Sequence, residues 1–218
     1  MSDVFKEISE CRIVATVVVE QADQAHILAQ NLLDCGIKCI ELTLRTENAL
    51  SAIETVSRNY PEILVGAGTV LTCEQVERVC QAGARFAVAP GLNPAVVERA
   101  SQANLPFAPG VCTPSDIEKA VELGCRYLKF FPAEPLGGIK YLKCMAAPYM
   151  HKGLRFMPLG GIKDENFMDY LKEDIVFAVG GSWLAPSSLI SAGNWEGIKT
   201  RCLNAVEKIR NCSSVNGD

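Results

Sequence analysis

DCGIKCIEL at residues 34–42, QAGARFAVA at 81–89 and ELGCRYLKF at 122–130 share one plan. Each closes a helical pattern, sets a glycine where a helix ends in the left-handed conformation, and passes directly into an apolar run suited to a strand. Five residues beyond each glycine stand Glu41, Val88 and Lys129. Working outward from these runs, strands are expected at Ile13–Val19, Lys38–Thr43, Ile63–Ala67, Arg85–Ala89, Pro106–Ala108, Arg126–Phe131, Arg155–Pro158 and Val176–Val179. They recur about 20–25 residues apart, the length of a strand, a loop and a three-turn helix together. The pattern predicts an α/β protein, a (β/α)8 barrel forming a single domain over residues 1–218, with a short N-terminal helix in the first dozen residues. The runs holding Glu41, Val88 and Lys129 are the second, fourth and sixth strands, and alternate strands of such a barrel fill the same interior layer. Glu41 and Lys129 are therefore expected to point inward together. An unpaired charge inside a barrel is costly, so that placement needs a reason.

The helical segments carry their own signals. Ala25, Leu28, Ala29, Leu32 and Leu33 form an apolar stripe at helical spacing. Thr72 with Gln75 fits a capping box, and Asn93-Pro94 and Thr113-Pro114 each set a capping side chain before a proline at the first helical position. A last amphipathic helix is expected from about Trp195 to Arg210, followed by SSVNGD as a frayed tail.

Composition narrows the function classes. Hydrophobic residues make up 49% and charged residues 21%, ordinary for a globular chain and too apolar for a disordered one. The formal net charge is −4 and the basic residues are scattered, which argues against a nucleic-acid partner. The apolar run Ile13–Val19 is too short to span a bilayer, and MSDVFKEISE lacks the basic and apolar regions of a signal peptide, so no membrane partner and no leader are expected. The ten cysteines form no CxxC pair and no cluster with zinc spacing, and read as reduced thiols of a cytoplasmic protein. His26 and His151 fall away from the expected strand ends and are assigned to the surface.

Glycine and proline concentrate after the expected strands: GAGT (66–69), Pro90-Gly91, Pro109-Gly110, LGGI (159–162) and GGSW (180–183). In barrels this face carries the chemistry, and the loops after the seventh and eighth strands favour phosphate. The two GG turns are therefore candidates for an anion site, tight turns being the alternative. Lys129 lies in KFFPAE (129–134), with Tyr127 and Phe131 on its own side by alternation. Apolar surroundings disfavour an ammonium and free the amine as a nucleophile, whereas a lysine merely paired with a carboxylate would be structural. Glu41 shares a face with Cys39 and Thr43; it is a candidate general acid/base or, alternatively, a counter-ion for Lys129 or Arg45. Arg45 offers a forked donor for a substrate carboxylate or is a solvated loop cation.

IELTLRT (40–46), VGAGTVL (65–71), Pro90-Gly91, Pro109-Gly110, KFFPAE, GGI (160–162) and GGSW, in that order, resemble the bacterial 2-keto-3-deoxy-6-phosphogluconate (KDPG) and 4-hydroxy-2-oxoglutarate (KHG) aldolase family. The resemblance runs from about Ile13 to Trp183. It implies a cytoplasmic homotrimer of (β/α)8 subunits acting on a small 2-keto acid, with no cofactor and no metal. It implies that Lys129 forms the Schiff base and Glu41 shuttles protons. It implies that Arg45 and Thr69 hold the carboxylate of the pyruvyl group, that Pro90 and Phe131 line the pocket, and that Gly160, Gly161, Gly181 and Ser182 receive a phosphate. One departure stands out: many family members read PTGG after the seventh strand, and this chain reads PLGG, with Leu159 where a threonine hydroxyl would lie near the substrate. The preferred aldehyde and its stereochemistry are thereby left open. The alternatives are an aldolase for the C4 epimer 2-keto-3-deoxy-6-phosphogalactonate, a phosphosugar isomerase or synthase that forms no imine, and a phosphate-ligand sensor, which would have no use for the Glu41/Lys129 pair.

Overall fold

The three glycines of the repeated plan do end helices in the left-handed region, with φ of 82° at Gly36, 88° at Gly83 and 78° at Gly124. Glycine reaches this region without the steric cost a Cβ imposes, which is why the chain can turn there at once into a strand. The computed structural model describes residues 4–215. Its strands are β1 (Ile13–Val17), β2 (Cys39–Thr43), β3 (Leu64–Gly68), β4 (Phe86–Val88), β5 (Phe107–Ala108), β6 (Gly110–Val111), β7 (Tyr127–Phe130), β8 (Arg155–Pro158) and β9 (Val179–Gly181). Helices α1 (Val4–Cys11), α2 (Ala22–Asp34), α3 (Ala49–Asn59), α4 (Cys73–Gln81), α5 (Pro94–Gln102), α6 (Pro114–Glu122), α7 (Gly138–Ala146), α8 (Phe167–Leu171), α9 (Ser187–Ser191) and α10 (Trp195–Val215) stand before, between and after them. None of the helices among the described residues is long and apolar enough to cross a membrane.

Every strand pairing is parallel. One sheet of six runs β5-β4-β3-β2-β1-β9 and curls into a half-barrel; the second, of three, runs β6-β7-β8. The expected eight continuous strands are thus corrected at two places. The fifth strand, expected at Pro106–Ala108, is split at Pro109 into β5, which pairs with β4, and β6, which pairs with β7. Proline has no N–H to give a ladder, and the Pro109 carbonyl instead accepts from Lys129 N at 2.9 Å. The last strand, expected at Val176–Val179, lies at Val179–Gly181, where it pairs with Ile13–Ala15 of β1. Only a bridge from Val176 to Phe156 marks the expected start. Apolar, β-branched composition favoured Val176–Val179, but pairing with β1 selects the glycines. For the same reason Gly66, Gly68, Gly110, Gly180 and Gly181 lie within strands rather than in the loops after them.

Alternation divides the apolar residues into two cores. Ile13, Ala15, Ile40, Val65 and Ala87 pack outward against the helices, among them the buried Ala25, Leu28, Ala29 and Leu32 of α2. Val14, Cys39, Leu64, Phe86, Val88, Ala108 and Met157 face the interior. Helix α1 adds Val4 and Ile8 to this interior core, and Phe5 stacks on Tyr127 at 4.4 Å between ring centroids. The short N-terminal helix therefore fills the end of the interior at which the strands begin. The expected caps form: Thr72 accepts from Gln75 N in a capping box, Asn93 from Ala95 N, and Thr113 from Asp116 N. The last helix runs to Val215, past the expected Arg210, and residues 216–218 of the expected tail lie outside the described residues. His26 is exposed, with Nδ1 3.0 Å from the Tyr60 hydroxyl, and His151 lies exposed in a 3-10 turn, so neither nears the interior. All ten cysteines are free thiols.

If α1 is structurally part of the interior core, Ile8→Ala should destabilise the protein by about 2–5 kcal/mol, the usual cost of emptying a buried aliphatic site. Urea unfolding read by far-UV circular dichroism checks it; a loss under about 1 kcal/mol would show that α1 only rests on the core.

Candidate active site

The strands end around a cavity of about 200 Å³, bounded by residues of β1, β2, β7 and β9 and of the segments that follow β1, β2, β3, β4, β7, β8 and β9. All the sequence-selected residues line it: Glu41, Arg45, Thr69, Pro90, Lys129, Phe131, Leu159, Gly160, Gly161, Gly181 and Ser182. A larger cleft of about 490 Å³ opens at the opposite end, among Glu7, Lys38, Glu62 and Arg85. It carries both signs of charge, with Glu7 and Arg85 in an ion pair of 2.8 Å. The smaller cavity is set apart by what it buries. Among the described residues the buried polar or charged side chains are Glu41, Thr43 and Lys129, and all three line it.

The strand registers bring them together. Glu41 lies on β2 beside Thr16 of β1 and Gly66 of β3. Lys129 lies on β7, in the other sheet, beside Gly110 of β6 and Met157 of β8. Lys129 is 5% exposed and Glu41 not at all. Across the interior, Lys129 Nζ donates to Glu41 Oε1 at 3.1 Å. Thr16 Oγ1 donates to the other oxygen, Oε2, also at 3.1 Å. The Phe131 ring lies 5.6 Å from Lys129 Nζ, within reach of a cation–π contact. A carboxylate this deep needs donors for its oxygens, and both oxygens of Glu41 have one.

Glycine makes room for the carboxylate. A Cβ on Gly68 would lie 2.1 Å from Glu41 Oε1, so the carboxylate packs directly on the β3 backbone. Just beyond, Thr69 has a φ of 59°, a left-handed conformation that a β-branched residue rarely adopts. Such backbone strain persists where the surroundings fix it, often at functional sites. On the opposite wall the segment after β7 is tied to the segment after β8. Ala133 N donates to Leu159 O at 2.7 Å and Glu134 N to Gly160 O at 2.9 Å. Gly160 and Gly161 have φ of 91° and 83°, and a Cβ on Gly161 would lie 2.5 Å from Glu134 Cβ. The Glu134 carboxylate accepts from the Tyr170 hydroxyl, and burial first, then this bond, pushes the phenol upward. Leu159 is buried and faces Gly180, where a Cβ would meet its side chain at 2.8 Å.

Polarity is graded across the site. Glu41, Lys129 and Leu159 are buried, Thr69, Pro90, Phe131 and Gly160 half-buried, and Arg45, Gly161 and Ser182 exposed. An amine–carboxylate pair at the base can exchange one proton over 3.1 Å, giving a neutral amine and a carboxylic acid. Above it stand Arg45, whose guanidinium is a forked donor, and the glycine-bearing segments at 160–161 and 181–182. Among the described residues no three His, Cys, Asp or Glu side chains are grouped to hold a metal ion. Sequence reading missed Thr16, Val18, Thr43 and Ile162 as cavity residues, although alternation set Thr43 on the face of Glu41. Thr16 was discoverable as the one polar residue in the apolar run Ile13–Val19; Val18 and Ile162 carry no signal apart from ordinary core.

The chain matches the family model for aldolases described as KDPG and KHG aldolase, over residues 4–201. It is 40% identical over 195 residues to the KHG/KDPG aldolase of Escherichia coli (strain K12), covering 89% of this chain and 91% of that one. It is 42% identical over 195 residues to the 2-dehydro-3-deoxy-phosphogluconate aldolase of Haemophilus influenzae, with 89% and 91% covered. Among solved structures, the KDPG aldolase of Legionella pneumophila, with pyruvate captured at low pH as a covalent carbinolamine intermediate, superposes with a TM-score of 0.86 at 35% identity. It covers 93% of this chain and 96% of that one.

The packing of Glu41 on β3 makes Gly68→Ala informative. Overpacking of this kind should cost about 1–3 kcal/mol and push the carboxylate off Lys129. Chemical unfolding measures the first, and a crystal structure of the variant the second; an unmoved Glu41–Lys129 contact would contradict it.

Proposed function

We propose that this chain, which belongs to the KDPG and KHG aldolase family, is a class I, Schiff-base aldolase. It cleaves 2-keto-3-deoxy-6-phosphogluconate to pyruvate and glyceraldehyde 3-phosphate, and 4-hydroxy-2-oxoglutarate to pyruvate and glyoxylate. The observation that carries this reading is the buried Lys129–Glu41 pair at the base of a cavity that Arg45 also lines. A purely structural protein gains little from burying two charges that apolar residues could replace.

In the proposed reaction Glu41 takes a proton from Lys129 Nζ, and the free amine attacks the C2 ketone. Protonated Glu41 gives its proton to the hydroxyl of the carbinolamine so formed, which leaves as water; an iminium results and Glu41 is again a carboxylate. Glu41, through a water molecule, then removes the C4 hydroxyl proton; the C3–C4 bond breaks and its electron pair flows into the iminium. The aldehyde departs and the enamine of pyruvate remains on Lys129. Protonation at C3 and hydrolysis release pyruvate and restore the amine. The iminium stabilises the carbanion that a metal stabilises in other aldolases, so the mechanism is metal-independent and needs no cofactor.

Arg45 and Thr69 hold the substrate carboxylate, Pro90 and Phe131 flank the pyruvyl group, and the backbone at Gly160, Gly161 and Gly181 with Ser182 receives the phosphate. Their common lining of one cavity supports these roles. Leu159 gives its wall no hydrogen-bond donor, which favours a second reading in which the C4 epimer 2-keto-3-deoxy-6-phosphogalactonate is also cleaved. An isomerase or synthase without an imine would leave the buried amine unused.

At the level of architecture, we read the two sheets as one closed (β/α)8 barrel in a single domain over residues 1–218. The split fifth strand joins them on one side. Hydrogen bonds from Phe156 N to Ile175 O and Phe177 N to Phe156 O, at 2.8 and 3.0 Å, support closure on the other. The resemblance to the family supports a cytoplasmic homotrimer.

Pyruvate with borohydride is expected to add mass at Lys129, located by peptide mapping. Labelling elsewhere, or none, would sink the Schiff-base assignment. Glu41→Gln keeps the shape but carries no proton, so turnover of 2-keto-3-deoxy-6-phosphogluconate should fall by roughly two to four orders of magnitude. Near wild-type kinetics in a coupled pyruvate assay would reduce Glu41 to a counter-ion.

A further inference from the structure

On β1 the residues facing the interior are Val14, which joins the apolar core, and Thr16, which reaches the cavity; Val18 follows just past the strand. Thr16 is thus a single hydroxyl in an otherwise apolar row. The parallel register sets it directly beside Glu41, and its Oγ1 donates to Glu41 Oε2 at 3.1 Å. Lys129 Nζ takes the other oxygen, Oε1, at the same distance. On the far side the carboxylate meets the backbone at Gly68. The two oxygens therefore have divided tasks: one is held by β1, and the other faces the amine.

We propose that Thr16 is a positioning residue for the aldolase reaction: its hydroxyl anchors Glu41 Oε2 and so keeps Oε1 aimed at Lys129 and at the proton it must carry. The proposal rests on Glu41 being the proton carrier. A carboxylate that accepts from a fixed hydroxyl is favoured in its charged, proton-accepting form and loses freedom to rotate. Once Lys129 has become an iminium it has fewer protons to give Glu41. Thr16 is then the donor that still fixes the carboxylate while Glu41 works on the C4 hydroxyl. The groups proposed to bind substrate, Arg45, Thr69 and the glycine segments, do not depend on Thr16, so its loss should act on turnover and not on binding.

The test compares Thr16→Val, which keeps the shape and removes the hydroxyl, with Thr16→Ser, which restores it. Cleavage of 2-keto-3-deoxy-6-phosphogluconate is followed in both. For Thr16→Val, kcat should fall about tenfold to a hundredfold, the range for a hydrogen bond to a charged group, with KM within about threefold of wild type. Thr16→Ser should recover most of the loss. In a Glu41→Gln background, Thr16→Val should change kcat by less than about twofold, because the carboxylate it serves is gone. Should Thr16→Val fail to fold, Thr16→Ala removes the same donor and replaces it in each comparison. The proposal is overturned if the hydroxyl-less variant keeps wild-type kcat, if Thr16→Ser is equally slow, or if the loss persists undiminished beside Glu41→Gln. Borohydride trapping and Glu41→Gln alone separate the two levels. If Lys129 is trapped and Glu41→Gln is slow while Thr16→Val is not, only the role of Thr16 falls. If Glu41→Gln is fast, the proton-carrier reading falls and takes the role of Thr16 with it.

Discussion

The contact between Lys129 and Glu41 is the constraint around which the molecule is arranged. Each side chain alone would lose several kcal/mol of hydration on entering the interior, and their attraction offsets this only with good geometry and further hydrogen bonds. The surroundings supply both. Glu41 comes from the six-stranded sheet and Lys129 from the three-stranded one, 88 residues apart in sequence, so the pair also spans the two sheets. Gly68 leaves space for the carboxylate, the Thr16 hydroxyl satisfies its second oxygen, and Phe131 lies near the ammonium. Little in this set would be selected for stability alone, since an aliphatic pair of similar volume would pack there without a desolvation cost.

Much of this was legible in the sequence, and for a definite reason. Left-handed glycines at Gly36, Gly83 and Gly124 fix where each strand begins, and side chains alternate with period two, so position relative to the glycine determines facing. That is why Glu41, Val88 and Lys129 could be assigned to the interior without coordinates. Proline and cap signals failed nowhere along α4, α5 and α6, because a capping box is a local interaction that tertiary context seldom overrides. What could not be read was decided by partners distant in sequence. Val179–Gly181 becomes a strand because β1 lies beside it, although glycine is a poor strand former by itself. Thr16 matters because of register with Glu41, and register between strands is invisible in a single run of residues. The site residues taken from the family resemblance converge on one cavity.

In the proposed reaction the covalent chemistry sits at the buried base, apart from the exposed or half-buried segments of the rim such as Ser182 and Gly160, so substrates with different tails share one reactive centre. Backbone hydrogen bonds from Ala133 and Glu134 tie the segment after β7 to the one after β8 and join these two walls into one hydrogen-bonded unit. Leu159 belongs to the rigid part of that unit: its backbone N–H donates to Phe130 O at 2.9 Å and its carbonyl accepts from Ala133. Its apolar side chain is therefore a fixed surface rather than an adaptable one.

Helix α1 packs Val4 and Ile8 into the interior core at the end where the strands begin, and the cavity that holds Lys129 lies at the opposite end, where the strands finish. In the proposed reaction the pyruvyl fragment stays bonded to Lys129, at the buried base of that cavity, after cleavage. The aldehyde fragment then lies between that fragment and the exposed rim. Departure in this reaction is last-in, first-out: the aldehyde clears the rim before C3 is protonated and water attacks C2 of the restored iminium to free the keto acid. In the synthetic direction the same geometry compels the keto acid to enter first. A reactive amine at the buried base, with the exposed rim above it, thereby orders the ligands by depth alone.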